Sequence, residues 1–280
     1  MKLRALQIGT FLIALLFLLS CDHRPPLVIA AKQGDTDQVA ALLAAGHDVN
    51  TTGNKGMTAL MYAVTSRNLE TVKLLLEGGA NVNAKDEDGF TPLLVSTAHG
   101  RTEMVRLFLE GGANVDVRDK YGSTALISAS GEGMTEAVKL LLANGADIHA
   151  RDNTGTTALM ATMEHGYTDT MKVLASHGAD INAQSNYGWT VLMGASSKGL
   201  TDTVKDLLER GADVSKKTKK GQTALLLAAQ YGNAGTVRAL IEAGTDPCIK
   251  DKEGMTALAL ATKAGGKDKV EILKDFCAGK

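Results

Sequence analysis

Cysteine, proline and aromatic residues are scarce in this chain of 280 residues, which has three cysteines, four prolines and 4% aromatic residues. So few cysteines exclude a disulfide-dense scaffold and leave no CxxC pair for zinc or redox chemistry. The chain also lacks an HExxH motif and a glycine-rich phosphate loop that opens a helix after a strand. We therefore expect no catalytic constellation, no metal site, no cofactor and no enzymatic activity.

An excess of charge of one sign is also lacking. The formal net charge is −1 at pH 7, with 30 basic and 31 acidic residues. Loss of Lys2 and Arg4 with an N-terminal segment would make the remainder slightly more negative. A chain this close to neutral has no overall electrostatic footprint for DNA or RNA, so we expect no nucleic-acid partner.

Glycine, in contrast, is plentiful and regularly spaced. The stretch 56–88 recurs every 33 residues without insertion, and a fixed period of this length indicates a solenoid of stacked units. A second glycine, at Gly46, Gly79 and every 33 residues thereafter, marks the far end of each unit. The opening glycines are Gly56, Gly89, Gly122, Gly155, Gly188, Gly221 and Gly254.

Each unit contains the signals for two helices. A threonine two residues after the opening glycine can cap a first helix, and Pro92 follows this threonine where a missing N–H costs nothing. The second helix has an apolar stripe with i, i+3 spacing, as at Val72 and Leu75. We expect left-handed glycines to end the first helix and threonines to cap the second. The glycines are Gly100, Gly133, Gly166, Gly199 and Gly232, and the threonines are Thr102, Thr135, Thr168 and Thr201.

The unit resembles the ankyrin repeat. The resemblance rests on stretches such as GFTPLLVSTAHG…VRLFLEGGAN and GQTALLLAAQYG…VRALIEAGTD. It implies an all-α ankyrin-repeat solenoid of about eight helix-turn-helix frames with hairpin loops, N- and C-terminal caps included, over residues 27–280. In the last frame we expect a polar outer face on the second helix, formed by residues such as Lys267 and Lys269. The family's histidine position holds Met61, Leu94, Ile127, Met160, Met193, Leu226 and Ala259.

The N-terminus has a different pattern. Lys2 and Arg4 precede an apolar run over residues 8–19, which is too short to span a bilayer comfortably and fits the core of a signal peptide. The run ends in Leu18-Leu19-Ser20-Cys21, which resembles the bacterial lipobox. We expect residues 1–20 to be a signal peptide cleaved before a lipidated Cys21, and residues 21–26 to be a short tether. A buried first helix, or cleavage without lipid, is the alternative.

The resemblance to a lipoprotein implies a location. A lipid anchor at Cys21 would hold the chain on the periplasmic side of a bacterial envelope. Asp22 resembles the inner-membrane retention signal of enterobacterial lipoproteins, which favours the inner membrane. Of the other two cysteines, Cys248 takes a turn position and Cys277 ends the last helix. A Cys248–Cys277 disulfide is one hypothesis for an oxidising compartment; two independent thiols are the favoured alternative.

The resemblance also implies where a partner would bind. Ankyrin repeats hold partners with hairpin tips and with residues before the mid-unit glycine, on a concave face. The residues that match these positions are Phe90, His99, Tyr121, His165, Tyr187, Trp189, Lys198 and Tyr231. Stiffening of neighbouring hairpins is the alternative role for the aromatic rings. Four lysines in the tip 215–220 could meet an acidic partner or anionic lipid headgroups, or could simply be solvated.

We thus expect a monomeric, membrane-anchored, non-catalytic module that binds one protein. The layout resembles membrane-anchored ankyrin proteins that give immunity against secreted phospholipase effectors by covering the active site. It also resembles periplasmic ankyrin proteins associated with catalase and peroxide resistance. A general envelope scaffold is a further alternative. The sequence alone does not choose among these roles.

Overall fold

The computed structural model describes residues 24–277, without the side chain of Cys277. The predicted signal peptide at 1–20, the lipidation site Cys21 and the sorting residue Asp22 lie outside the described residues. Contacts between Cα atoms divide the chain into two compact units, with unit 1 ending at Asn114 and unit 2 beginning at Val115. No helix between residues 24 and 277 is both long and apolar enough to cross a bilayer.

The described chain folds into pairs of short antiparallel helices separated by loops. Unit 1 contains α1 (Pro26–Gln33), α2 (Thr36–Ala44), α3 (Ala59–Thr65), α4 (Leu69–Glu77), α5 (Pro92–Ala98) and α6 (Thr102–Glu110), with a 3-10 turn at Asn54–Gly56. Unit 2 contains α7 (Ala125–Gly131), α8 (Thr135–Ala143), α9 (Ala158–Ala161), α10 (Thr168–Ser176), α11 (Val191–Ser197), α12 (Thr201–Glu209), α13 (Ala224–Tyr231), α14 (Ala234–Glu242), α15 (Ala257–Lys263) and α16 (Lys267–Cys277).

The first helix of each full frame begins at the recurring threonine, as predicted. The Thr58 hydroxyl accepts the Met61 N–H at 3.3 Å, and Thr190 does the same for Met193 at 3.2 Å. These bonds satisfy N–H groups that a helix start would otherwise leave without an acceptor. Pro92 stands at the first helical position of α5. The capping residues are Thr58, Thr91, Thr124, Thr157, Thr190, Thr223 and Thr256.

The core of each unit is formed by the leucine position of the first helices and the apolar stripe of the second. Leu60 and Leu93 are buried in unit 1, as are Leu126 and Leu192 in unit 2. A single helix pair cannot bury both of its apolar faces, so stacked neighbours complete the core. The described residues therefore form a helical repeat fold of paired helices, as the sequence predicted.

The predicted capping of the second helices by threonine was wrong. Thr135, Thr168 and Thr201 are already the first helical residues, and the N-cap positions Met134, Tyr167 and Leu200 make no side-chain capping bond. Thr102 likewise begins α6, behind an N-cap at Arg101 that makes no such bond. The Thr135, Thr168 and Thr201 hydroxyls instead pair with a buried threonine of the next frame, at 2.8–3.1 Å. True side-chain caps occur at Asp35, Asn68 and Asn233.

The glycine prediction was confirmed at four positions and was wrong at Gly232. Gly100, Gly133, Gly166 and Gly199 have positive φ angles between 65° and 79°. Gly232 has a φ of −81°, which any residue adopts. A Cβ atom there would collide with the Ser196 carbonyl oxygen. A glycine is therefore required here because two backbones approach closely. It is not required for a left-handed conformation.

The prediction of a polar outer face on α16 was wrong at Lys269. This side chain is only 8% exposed, and its ammonium donates a hydrogen bond to the Gly232 carbonyl at 3.0 Å. Lys267 and Lys274, on the same helix, are exposed as expected. Lys269 thus belongs to the packing between two frames of unit 2.

Candidate protein-binding surface

Hairpin-like loops, here called fingers, connect the frames of unit 2 and hold their backbones against one another. The Lys219 N–H donates to the Tyr187 carbonyl at 2.9 Å, and the Asn153 N–H donates to the Tyr121 carbonyl at 2.9 Å. The Trp189 finger is defined as residues 183–189 and the lysine finger as residues 216–222. Because these tips are bonded to their neighbours, the backbone positions that carry their side chains are fixed.

Long polar side chains reinforce this alignment of the fingers. The Arg151 guanidinium donates to the Gln184 carbonyl of the Trp189 finger at 2.7 Å. The Gln184 amide in turn donates to the Lys217 carbonyl at 3.1 Å and to the Gly188 carbonyl at 2.9 Å. Each finger of this group is therefore tied to its neighbour by backbone and side chain together.

One acceptor side chain closes the turn of each finger, and its chemistry varies. In the 117–123 finger it is a carboxylate: Asp119 accepts the N–H groups of Tyr121 and Ser123 at 2.8 and 2.9 Å. In the Trp189 finger the Ser185 hydroxyl accepts the corresponding pair at 3.3 and 3.2 Å. The Thr218 hydroxyl does so in the lysine finger, also at 3.3 and 3.2 Å. These two neighbouring turns thus lack the acidic group.

A groove of about 380 Å³ lies beside the Trp189 finger and is here called the Trp189 groove. Its lining includes Met160, Met163, Glu164, Tyr187, Trp189, Gly194 and Lys198. A Cβ atom on Gly194 would lie 2.8 Å from the Met163 Cβ, so the glycine makes room for this methionine. The helix behind the groove, α9, has only four residues, whereas α11 has seven.

The structure brings three of the predicted binding residues together in this groove. Tyr187 and Trp189 rise from one finger and remain exposed by 60% and 38%, and Lys198 is the exposed residue that follows α11. Rings left in water at this level while their backbones are fixed are typical of binding anchors rather than of core packing. The alternative role of stiffening fits Tyr187 and Trp189 less well for this reason.

The remaining predicted residues of unit 2 lie apart from the groove lining. Tyr121, 59% exposed, occupies the tip of the 117–123 finger, where the Lys120 ammonium lies 5.1 Å from its ring centroid. Tyr231, 64% exposed, ends α13. His165 is exposed, with its ring 5.8 Å from that of Tyr167.

Two predicted residues belong to unit 1. Phe90 is half-buried in a finger whose turn is closed by Asp86, which accepts the Phe90 N–H at 2.8 Å. His99 is exposed at the end of α5, and its Nδ1 lies 2.9 Å from the Val95 carbonyl oxygen of the same helix. Each keeps its predicted position in the frame.

The charge next to the Trp189 groove is mostly positive. Lys217, Lys219 and Lys220 are exposed on the lysine finger, and the Lys219 ammonium lies 5.9 Å from the Tyr187 ring centroid. Lys216 pairs with Asp213 at 3.7 Å. The hydroxyl and backbone N–H of Ser215 hold the pKa of Asp213 below its ordinary value, and Lys216 adds to this effect.

The remaining predictions concern the two cysteines near the C-terminus and metal binding. Cys248 is exposed in its turn, where its N–H donates to Asp246 at 3.1 Å. The side chain of Cys277 lies outside the described part of the chain, so the disulfide and the favoured alternative of two independent thiols both stay hypotheses. Among residues 24–277, no three histidine, cysteine, aspartate or glutamate side chains come close enough to hold a metal ion.

Sequence reasoning missed the methionines and the glycine of the groove. Met160 was assigned only to the family's histidine position, and Met163 and Gly194 were not singled out. A signal was present at Gly194, because the same position holds larger residues such as Tyr62, Val95 and Leu227 in other frames. A side chain missing from one frame of a repeat indicates a local gap that a neighbour or a ligand fills.

The family model "Ankyrin repeats (3 copies)" matches residues 4–86, 79–152, 132–218 and 214–278, and the chain belongs to the ankyrin-repeat family. Among solved structures it is similar to the human ASB11 ankyrin repeat domain. The two share 28% sequence identity with a TM-score of 0.71, over 80% of this chain and 100% of the other. The search of curated proteins found no match.

Family membership defines the general kind of function. Ankyrin repeats are in general interaction scaffolds that bind proteins without catalysing a reaction. The fingers of unit 2 supply a rigid surface of this kind, with exposed aromatic side chains beside an apolar groove. This geometry is suited to holding a protein surface in place.

Proposed function

We propose that the chain binds one protein partner through the Trp189 groove and the neighbouring fingers. The observation that carries this proposal is the exposure of Tyr187 and Trp189 on a finger whose backbone is bonded to the lysine finger. Rigid tyrosine and tryptophan anchors lose little conformational entropy on binding, and such residues dominate binding energy at protein interfaces.

We predict that the double variant Tyr187→Ala/Trp189→Ala weakens binding of the partner by more than about 2 kcal/mol. Folding should be unchanged, because neither ring belongs to the buried core: Tyr187 is 60% exposed and Trp189 is 38% exposed. Calorimetric titration measures the binding, and circular dichroism checks the fold. The matched control is Phe276→Ala, which removes an exposed ring from α16 rather than from a finger. Equal affinities of the double variant and the parent chain would remove the groove as the binding site.

We propose further that the chain is exported and anchored by lipid at Cys21 on the periplasmic face of a bacterial membrane. The pattern of Lys2, Arg4, the apolar run 8–19 and Leu18-Leu19-Ser20-Cys21 supports this, and Asp22 favours the inner membrane. Membrane attachment would keep the binding module at the surface where exported or incoming proteins pass.

The anchor gives a direct prediction for the variant Cys21→Ala. Without the thiol no lipid can be attached, so the protein should move from the membrane fraction to the soluble fraction or stay unprocessed. Cell fractionation with radiolabelled palmitate measures both attachment and location. If the parent chain is soluble and takes up no label, simple cleavage without lipid is the correct reading.

Among the possible roles we favour a dedicated, non-catalytic inhibitor, as an immunity protein against a secreted effector would be. A groove with two aromatic anchors beside it favours one tight contact, whereas a general scaffold would distribute weak contacts over many frames. Support of a periplasmic peroxide-stress enzyme is the alternative, because it too needs one partner.

The test of these roles is purification of the full-length chain from solubilised membranes, followed by mass spectrometry of the proteins that accompany it. One stoichiometric effector would establish inhibition, a catalase would establish enzyme support, and many substoichiometric proteins would establish a scaffold.

A further inference from the structure

The chemistry around the Trp189 groove also defines the kind of partner surface that fits it. We propose that the groove and the lysine finger together recognise an acidic, extended segment of the partner protein, with one apolar side chain of that segment in the groove. This inference rests on the proposed function, because it names the partner chemistry of the same site.

Positive charge is the first observation. Lys217, Lys219 and Lys220 are exposed on the lysine finger, and within residues 24–277 none of them has a carboxylate within salt-bridge distance. The lysine finger is bonded to the Trp189 finger through Lys219 N–H and Tyr187 carbonyl at 2.9 Å. Lys198 adds a further ammonium at the groove, against one carboxylate at Glu164. Lysines therefore outnumber acidic groups around the Trp189 groove by four to two. The four are Lys198, Lys217, Lys219 and Lys220, and the two are Glu164 and Asp152, which closes the finger that lines the groove through Thr156.

The second, independent observation is that two neighbouring finger turns are closed by a hydroxyl and not by a carboxylate. A carboxylate is the stronger acceptor for the two N–H groups of a finger turn, as the distances of 2.8 and 2.9 Å at Asp119 indicate. Ser185 and Thr218 make the same bonds at 3.2–3.3 Å. The Trp189 finger, which lines the groove, and the lysine finger next to it thus have weaker turn closures, and neither turn carries a carboxylate. The 150–156 finger, which lines the groove through Thr156, keeps the carboxylate of Asp152.

The shape of the groove distinguishes a protein segment from a membrane surface. Met160 and Met163 line it together with Trp189, and its volume of about 380 Å³ is comparable to a few side chains. Flexible methionines adapt to apolar groups of different shape, and the lysines can pair with carboxylates on either side. A headgroup layer would meet the lysine finger but would leave the groove unfilled.

The test is a selection of random dodecapeptides, displayed on phage, against the immobilised full-length chain in detergent micelles. We expect enrichment of aspartate and glutamate around an aliphatic or aromatic residue. Affinity of the selected peptides should fall steeply as salt concentration rises, because surface charges are screened. Selection of neutral or basic peptides, or of none, would overturn the proposal.

A matched pair of variants isolates the charge. The double variant Ser185→Asp/Thr218→Asp adds two carboxylates that suit the turns, while Ser185→Asn/Thr218→Asn adds side chains of the same size without charge. We expect the aspartate variant to bind the selected peptides at least about tenfold more weakly, since like charges at an interface are costly. The asparagine variant should bind within about twofold of the parent chain. Equal binding by both variants would overturn the charge argument.

Two further experiments distinguish failure of the acidic-segment proposal from failure of the proposed function. Vesicles of phosphatidylglycerol and phosphatidylcholine replace the peptides; if these bind the chain and no peptide does, the lysine finger contacts lipid and the proposal is wrong. The partner from co-purification is then tested against Trp189→Ala and the aspartate variant. Loss of binding in Trp189→Ala alone would leave the proposed function standing and overturn only the acidic segment. No loss in either variant would overturn the proposed function itself.

Discussion

Lys269 shows how a single residue can be placed where its type is not expected. It occupies the position that buried threonines hold in three preceding frames, Thr170, Thr203 and Thr236. The side chain fits because its ammonium reaches the Gly232 carbonyl at 3.0 Å, which replaces part of its lost hydration. Burial lowers the pKa of Lys269 below the ordinary value of 10.5. A buried lysine next to a required glycine joins two frames by one hydrogen bond.

The lowered pKa of Lys269 predicts a pH dependence of stability. Between the lowered pKa and 10.5, the unfolded chain keeps a proton that the folded chain has lost. The free energy of unfolding contributed by this group therefore rises as pH increases through that window, and below it the folded state carries the cost of a buried charge. The variant Lys269→Met lacks this contribution. Denaturation with urea at several pH values from 7 upward measures both proteins.

The comparison with Lys269→Met is needed because other lysines titrate in the same range. A difference in stability between the two proteins that stays constant with pH would contradict the assignment. Lys274→Met is the control, since it removes an exposed lysine from the same helix and leaves the buried contact of Lys269 with Gly232 in place.

At the scale of elements, pairs of threonines join the second helices of neighbouring frames in unit 2. The Thr135 and Thr170 hydroxyls lie 2.8 Å apart, and the same spacing of 35 residues pairs Thr168 with Thr203 at 3.1 Å. Thr170 is buried and Thr135 is half-buried. Each pair satisfies two hydroxyls that packing between helices removes from bulk water.

We predict that Thr170→Val costs about 1 kcal/mol of unfolding free energy, because the Thr135 hydroxyl then loses its 2.8 Å partner and keeps only a 3.5 Å contact with the Gly133 carbonyl. The double variant Thr135→Val/Thr170→Val should cost less than the sum of the two single variants. Replacing both hydroxyls with methyl groups of the same shape leaves no unpaired polar group behind. Chemical denaturation of all four proteins completes the cycle. Strict additivity of the two costs would show that the hydroxyls do not depend on one another.

The elements also show where prediction from the sequence stops. The starts of the first helices at Thr58 and Thr190 were predicted correctly, because a capping bond is local and needs only residues three apart. The early end of α9 at Ala161 was not predicted, and neither was the packing of Met163, two residues further on, into the space that Gly194 of the next frame leaves. Contacts between frames are decided by three-dimensional packing and not by the pattern within a frame.

At the scale of the repeat array, each frame of unit 2 contacts only its neighbours, so damage should stay local. We predict that Leu192→Ala, in the buried leucine position of α11, costs about 2–5 kcal/mol. Hydrogen exchange should increase most in α9, α11 and α13 and least in α16, because stability in such arrays is a sum of nearest-neighbour terms. Mass spectrometry of exchanged peptides measures this gradient. Lys198→Ala, an exposed change at the end of the same helix, is the control, and a uniform rise across unit 2 would contradict the prediction.

The sequence by itself determined the repeat period, the two-helix unit, the ankyrin-type solenoid and the finger positions of Tyr187 and Trp189. Glycine and threonine impose these features through backbone conformation and local hydrogen bonds, which repeat with the sequence. The tertiary structure alone decided that Lys269 is buried, that Gly232 is required for close approach, and that Met160, Met163 and Gly194 form a groove beside Trp189. These depend on the fit between side chains one frame apart, and that fit is set by volume and distance in space.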